Sequence, residues 1–178
     1  MSRTPVREAT LMLEAQGLLE VRPRKGVRIL PISPGDMAEI YEVITELESL
    51  AAEKAAQAGG DLSELESSIA DMDAALARDD REGWAAADDR FHAELMRLGG
   101  NARAEAVVAM MGDQVRRAKA ATLWARPVPV KSNDDHKAVL DAIRARDADR
   151  ARDVHRHHRQ EAGTMLVELI ERHRLYRL

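Results

Sequence analysis

Cysteine is absent from the 178-residue sequence, which excludes disulfide bonds, thiolate zinc sites and cysteine nucleophiles. Any metal ion would need histidine and carboxylate ligands instead. Aromatic residues make up only 3% of the chain, while alanine, leucine and charged residues abound, so the composition favours helices over sheets. No apolar run approaches the roughly 20 residues that span a bilayer, and Met1 is followed by polar residues rather than a signal peptide. We therefore expect a cytoplasmic protein with no membrane partner.

The net charge of −4 is unevenly distributed along the chain. Residues 1–30 contain six basic groups against three acidic ones, a local balance of +3 that leaves −7 for the remainder. A basic arm on an acidic body is typical of nucleic-acid binding. Chance in so short a window is the alternative explanation.

The first 32 residues predict one helix followed by a β-hairpin. Thr4 is a candidate N-cap and Gly17 ends the helix. Residues 18–21 and 26–30 form short β-like runs joined by a basic tip, as in a hairpin. A helix followed by a basic hairpin is the second half of a winged helix, so we predict a partial winged-helix DNA-binding domain at residues 1–32.

Residues 33–178 have the pattern of long helices packed as one body. Pairs of glycine and proline residues interrupt the pattern, and Asn101 and Asp147 are candidate N-caps. The predicted helices cover about 35–58, 61–78, 81–98, 101–125, 131–146 and 148–175. We therefore expect an all-α fold, an antiparallel six-helix bundle preceded by the partial winged helix.

Polar groups recur on the apolar faces of three of these helices. Asp88 and His92 are neighbours at i and i+4 on a stripe that is otherwise apolar. His136 and His158 each share a stripe with aliphatic residues, and they lie 11 residues before and after the turn at Asp147. In an antiparallel hairpin the two imidazoles would meet at one level.

Three imidazoles and one carboxylate converging inside a bundle form a complete ligand set for a divalent ion. Buried polar groups of this kind are costly unless paired, and one shared cation satisfies all of them. The alternative for any single buried histidine is a hydrogen bond to a backbone carbonyl. His155 and His157 could compete as ligands, but we expect both to be solvated, and we expect His173 to be exposed at a helix end.

The residues quoted next carry a resemblance to a known family. The run Ser2-Arg3-Thr4-Pro5-Val6-Arg7-Glu8-Ala9, with Gly17-Leu18-Leu19 and Pro23-Arg24-Lys25-Gly26-Val27, resembles the recognition helix and wing of GntR regulators. Asp88-Asp89-Arg90-Phe91-His92, Gly100-Asn101, His136 and His158 resemble the FCD effector domain of the FadR branch. The two resemblances together span nearly the whole chain.

The resemblance implies a transcription regulator rather than an enzyme. In that family the residues matching Asp88, His92, His136 and His158 bind zinc or a similar metal, with nickel or manganese as alternatives, and a small organic acid often completes the site. The family dimerises and reads a palindromic operator, so a homodimer is expected. The DNA contacts would come from Arg3, Thr4, Arg7 and Lys25.

Two departures from the family pattern affect these expectations. The family places two further helices before the recognition helix, whereas Met1 of this sequence lies where their last connection would be. Weak or absent DNA binding by this chain is therefore one expectation. Many relatives have Glu-Val-Arg where this chain has Glu42-Val43-Ile44, and that arginine reaches toward the effector. Either Arg116, Arg117 or the metal supplies the missing charge, or the effector is less acidic.

Two rival functions stay open on sequence grounds. One is a metal-binding sensor or dimerisation module that has lost DNA binding. The other is a small metal-dependent enzyme, since a metal with an open position can activate water. The enzyme is disfavoured because no extra general base lies at motif spacing beside the ligands and because the basic hairpin would have no role.

Overall fold

The structure is a computed structural model that describes residues 3–175, without the side chain of Arg3. It opens with helix α1, Arg3–Ala15, which begins one residue before the predicted cap, Thr4. Gly17 adopts a left-handed φ of 70°, a conformation that glycine reaches without strain, and reverses the chain after α1. A hairpin follows.

Strands β1, Leu19–Arg22, and β2, Gly26–Ile29, pair antiparallel with Leu19 opposite Ile29 and Arg22 opposite Gly26. The predicted helix and basic hairpin are thus present. Part of this segment rests on the helical body that follows: the Gln114 side chain donates to the Gln16 carbonyl at 2.8 Å, and Arg117 donates to the Leu30 carbonyl at 2.7 Å.

Six long helices follow the hairpin in the described part of the chain, which confirms the predicted all-α class. They are α2 Pro34–Ala58, α3 Ser63–Ala77, α4 Arg81–Leu98, α5 Ala102–Thr122, α6 Val130–Arg144 and α7 Ala148–Arg172. The predicted fourth helix of this body ends earlier than expected, at Thr122, and a 3-10 turn covers Leu123–Ala125.

Side-chain caps begin most of these helices. The carboxylate of Asp147 accepts from the backbone N–H of Arg150, and the side chain of Asn101 accepts from two backbone N–H groups of α5. Both were predicted as N-caps. Ser33 and Asp80 cap α2 and α4 in the same way. Because an N-cap supplies an acceptor to an otherwise unpaired N–H, these short polar residues define where the helices start.

The buried apolar residues form two main clusters. One is built around Met72, Phe91 and Ile143, and the other around Ile44 and Leu166. The long helices α2 and α7 pack against each other and contribute to both clusters. Along each of these two helices, buried polar residues occupy the turns between the two clusters. The candidate site therefore lies in a polar layer inside the bundle.

No helix within residues 3–175 is long and apolar enough to cross a membrane.

The end of α4 makes a close backbone contact that predicts the effect of two glycine substitutions. A Cβ at Gly99 would lie 2.7 Å from the Cα of Ala51, whereas a Cβ at Gly112 would meet nothing within 4 Å. We expect Gly99→Ala to lower the free energy of unfolding by about 1–3 kcal/mol, because backbone must move to admit the methyl group. Gly112→Ala, inside α5, should raise it by up to about 1 kcal/mol through helix propensity. Urea unfolding of both variants checks this, and equal effects would contradict the packing.

Candidate metal centre

Three helices bring the four predicted ligands together inside the bundle. Asp88 and His92 come from α4, His136 from α6 and His158 from α7, and all four side chains are buried. One ligand atom of each lies within 4.8 Å of one ligand atom of every other. The α6–α7 hairpin behaves as its spacing predicted, since the rings of His136 and His158 lie 4.5 Å apart between centroids.

The closest atoms of the cluster are all potential ligand atoms. His136 Nε2 lies 3.3 Å from Asp88 Oδ1 and 3.4 Å from His92 Nε2, and His92 Nε2 lies 3.6 Å from Asp88 Oδ1. Two imidazole nitrogens that face each other can form a hydrogen bond only if one of them carries a proton. A single cation would satisfy both nitrogens and the carboxylate oxygen together, so the donor set fits a divalent metal.

Outer carboxylates orient two of the rings. His92 Nδ1 lies 3.0 Å from Glu48 Oε2, and His158 Nδ1 lies 3.4 Å from Asp135 Oδ2. When Nδ1–H donates to a carboxylate, the lone pair is left on Nε2, which is the usual arrangement behind histidine metal ligands. The second oxygen of Asp88 accepts from Lys119 Nζ at 2.6 Å, so Oδ1 is the oxygen left for an ion.

The electrostatics favour the metal-binding protonation state at Asp88, His136 and His158. At His92 burial lowers the pKa, but the carboxylates of Glu48 and Asp88 raise it above its ordinary value and so favour the charged ring. Burial by itself would raise the pKa of Asp88, but the Lys119 ammonium and the neighbouring imidazoles hold that pKa well below its ordinary value. Burial lowers the pKa of His136 well below its ordinary value and also lowers the pKa of His158, because it penalises the charged ring. An ionised carboxylate and neutral imidazoles are the forms that coordinate a metal.

A second buried group adjoins the cluster, and it corrects one prediction. His155 was expected to be solvated, but it is fully buried, with its Nε2 3.5 Å from both Glu48 Oε2 and His92 Nδ1. The expectation was wrong because His155 precedes His158 by three positions, a spacing that puts both on one helix face. His157 is 65% exposed and His173 is also exposed, as predicted.

Three buried charged residues beside the cluster were missed by sequence reasoning: Glu48, Arg159 and Lys119. Arg159 donates to Glu48 Oε1 at 3.0 Å, and its guanidinium lies 5.0 Å from the centre of the Tyr41 ring. Burial would raise the pKa of Glu48, but Arg159 and His92 lower it to about 2. The available signal was a glutamate one turn after Ile44 on the apolar face of α2.

Of the candidate effector-anchoring residues, Arg116 lines a cavity that also borders His92, Glu48 and Arg159. Arg116 pairs with Asp113 at 2.7 Å. Arg117 binds the Leu30 carbonyl, and Ile44 is buried among apolar residues. A separate cavity of about 290 Å³ borders Asp88 and His158.

The candidate DNA-contacting residues lie in α1 and the hairpin, in the N-terminal part of the chain. Thr4 and Arg7 lie exposed on α1, and Lys25 lies exposed at the hairpin tip. The side chain of Arg3, the fourth candidate, lies outside the described residues.

Comparison with known proteins identifies both segments. The FCD domain model matches residues 39–161, and the model for bacterial regulatory proteins of the gntR family matches residues 1–29. An uncharacterised HTH-type transcriptional regulator in the TAR-I ttuE-ttuC' intergenic region of Agrobacterium vitis is 46% identical over 101 residues, which cover 54% of this chain and 59% of that protein. The probable D-xylose utilization operon transcriptional repressor of Paenarthrobacter nicotinovorans is 30% identical over 88% of this chain and 70% of its own length.

Solved structures share the fold. A GntR transcriptional regulator from Rhodococcus sp. RHA1 superposes with a TM-score of 0.79 at 22% identity, covering 94% of this chain and 81% of that one. E. coli McbR/YncC superposes with a TM-score of 0.82 at 21% identity, covering the same shares of the two chains. The two relatives named above are transcription regulators. The chain belongs to the GntR family of bacterial regulatory proteins and carries an FCD domain.

The buried Glu48 predicts a large loss of stability on substitution. Glu48→Gln in metal-free protein should lower the free energy of unfolding by about 3–5 kcal/mol, because the Arg159 charge would stay buried without its counter-ion. Glu46→Gln is the matched control, since Glu46 is 46% exposed and its ion pairs with Arg152 and Arg156 are open to solvent. It should cost less than about 1 kcal/mol. Urea unfolding measures both, and similar losses would disprove a buried Glu48 pair.

Proposed function

We propose that this chain is a metabolite-responsive transcription regulator whose helical domain, residues 33–178, binds one divalent metal ion and a small organic acid. Residues 1–32 would form its DNA-binding segment, and a homodimer would read a palindromic operator. The observation that carries the proposal is the buried cluster of Asp88, His92, His136 and His158, whose ligand atoms lie within 4.8 Å of one another.

Those four residues would hold the metal, with zinc the ion that best suits three imidazoles and one carboxylate. The bound ion would supply a positive charge that attracts an anionic oxygen of the effector. Glu48 and Asp135 would keep the rings of His92 and His158 aligned, and Lys119 would hold Asp88.

Helix α5 supports a route from the metal centre to the DNA-binding segment. Lys119 binds the metal-ligand candidate Asp88, while Gln114 and Arg117 on the same helix bind backbone carbonyls of Gln16 and Leu30 at the two ends of the hairpin. A shift of Asp88 on metal or effector binding would move Lys119, and a helix transmits such a movement along its length. We infer that α5 couples the two sites.

The basic hairpin and the exposed Arg7 of α1 support contacts with DNA phosphates and bases. Arg7 and Lys25 are exposed, and the body that carries them is acidic. A basic arm of this kind supplies the salt-dependent part of DNA affinity. Arg3, Thr4, Arg7 and Lys25 are the residues that we propose to contact the operator.

Zinc binding is tested by replacing two adjacent histidines, one a candidate ligand and one outside the cluster. Protein reconstituted with zinc should retain about one ion per chain, and His158→Ala should lose it, because a ligand is removed. His157→Ala is the matched control, since its side chain is 65% exposed, and it should retain the ion. Elemental analysis gives the metal content, and the rise in Tm on adding zinc gives an independent reading. If both variants bind zinc as the wild type does, the site is disproved.

DNA binding and its coupling to the metal are tested together on duplexes selected from a random pool. In wild type we expect zinc to change DNA affinity by about 5–150-fold, the usual range of coupling between sites. Arg117→Ala should reduce that change while zinc content and zinc-free DNA affinity stay the same, because the contact with Leu30 is lost and the contact of Gln114 with Gln16 remains. Fluorescence anisotropy measures each affinity.

Arg7→Ala separates a DNA contact from a coupling contact in the same assay. It should weaken binding with and without zinc and reduce the salt slope by about one. Absence of any salt-dependent DNA binding in wild type would instead favour the sensor module without DNA-binding activity. Retention of the full zinc response in Arg117→Ala would disprove the α5 route.

A further inference from the structure

The cavity of about 290 Å³ beside the candidate metal centre has a polar end and an apolar wall. Asp88 and His158 border it, and Trp84, Leu123, Val128 and Met165 supply apolar surface. Five cationic side chains and three carboxylates also line it. Which of these cations is free to bind an anion depends on how each is paired.

Four of the five cations already have partners. Lys119 pairs with Asp88 and Asp89, Lys131 with Asp135 and Glu161, and Arg159 with Glu48. Arg81 pairs with no carboxylate of the described residues, but it donates to the carbonyls of Leu123 and Arg126. Each of these groups therefore has acceptors within the protein.

Among the lining cations within residues 3–175, Arg126 is the one whose guanidinium has neither a carboxylate nor a carbonyl as acceptor. Its Nε donates to the Thr122 hydroxyl at 3.1 Å, and within residues 3–175 no carboxylate lies at ion-pair distance from its guanidinium. Burial lowers the pKa of Arg126, which indicates that the protein does not fully compensate the partly buried charge. Its remaining N–H donors are available to a bound anion.

Two further donors around the cavity have no acceptor. Trp84 Nε1 and Arg159 Nε are buried without a hydrogen-bond partner among the described residues. Both side chains line the same cavity as Arg126. Buried donors normally find acceptors, so the unmatched N–H groups point to a ligand rich in oxygen.

We propose that Arg126 selects effectors with two anionic ends, one at the metal centre and the other on the Arg126 guanidinium. The effector class is then a short dicarboxylic acid, with its carbon chain against Trp84 and Met165. This inference rests on the proposed function, because it places one carboxylate beside the candidate metal ligands. It goes further by assigning the second carboxylate to a residue of the loop between α5 and α6.

The cavity limits the size of the acid. A volume of 290 Å³ corresponds to roughly ten water molecules, so an acid of about ten non-hydrogen atoms fills it. Succinate falls within this limit. Butyrate has the same carbon chain with one uncharged end, so the two acids differ in the group that Arg126 would recognise.

The test is calorimetric titration of the protein with succinate and with butyrate, each with and without zinc. Wild type should bind succinate about 10–100-fold more tightly than butyrate, the usual effect of one charge-assisted contact. Arg126→Gln should abolish that preference without changing butyrate affinity, and Arg126→Lys should restore part of it, because the charge is kept. Arg90→Gln, an exposed arginine paired with Asp71 and Glu64, is the control and should bind both acids as wild type does.

Each contrary outcome has a distinct meaning. A succinate preference that survives in Arg126→Gln, or that is lost in Arg116→Gln instead, overturns the assignment to Arg126. A wild type that binds zinc but does not prefer succinate overturns the dicarboxylate class while the metal site stands. A failure to bind zinc contradicts the proposed function alone, since a preference that depends on Arg126 in zinc-free protein still supports this inference. Circular dichroism confirms that each variant is folded.

Discussion

Pairing of buried charges is the constraint on which the rest of this structure depends. Two carboxylates inside the bundle, Glu48 and Asp88, are ionised, and an unpaired ion in such a place costs several kcal/mol. Each has a buried cation from a different helix: Arg159 of α7 pairs with Glu48 of α2, and Lys119 of α5 pairs with Asp88 of α4. The two pairs thus link four helices around the histidine cluster.

This polar layer constrains the relative positions of the helices more tightly than the apolar clusters do. Apolar packing on either side along α2 and α7 supplies most of the burial, but aliphatic surfaces tolerate small changes in helix position. Pairs of buried charges tolerate them poorly, because a partner that moves away leaves its counterpart unpaired. A ligand that replaced one partner of a buried charge pair would therefore shift the helices that carry the pair. Helix α5, which also holds the hairpin, is the element best placed to respond.

Much of the fold could be predicted because its signals are local. N-caps such as Asn101 and Asp147 and the glycine and proline breaks mark helix ends through backbone hydrogen bonding, which depends on a few adjacent residues. Where the prediction differed, at the early end of α5, the chain continues as a 3-10 turn held by Arg81, a residue of another helix. That contact joins residues far apart in the sequence, so no local sequence pattern predicts it.

The sequence by itself determined the class of fold and the candidate ligands Asp88, His92, His136 and His158, since helical periodicity indicates which residues share a face. Its motifs, not its periodicity, carried the resemblance to the GntR family. Only the tertiary structure decided which groups meet across helices. His155 is buried against Glu48, and Arg126 borders the cavity beside His158. Periodicity assigns a side chain to a face of its own helix, but the neighbour that the face meets depends on how all the helices pack.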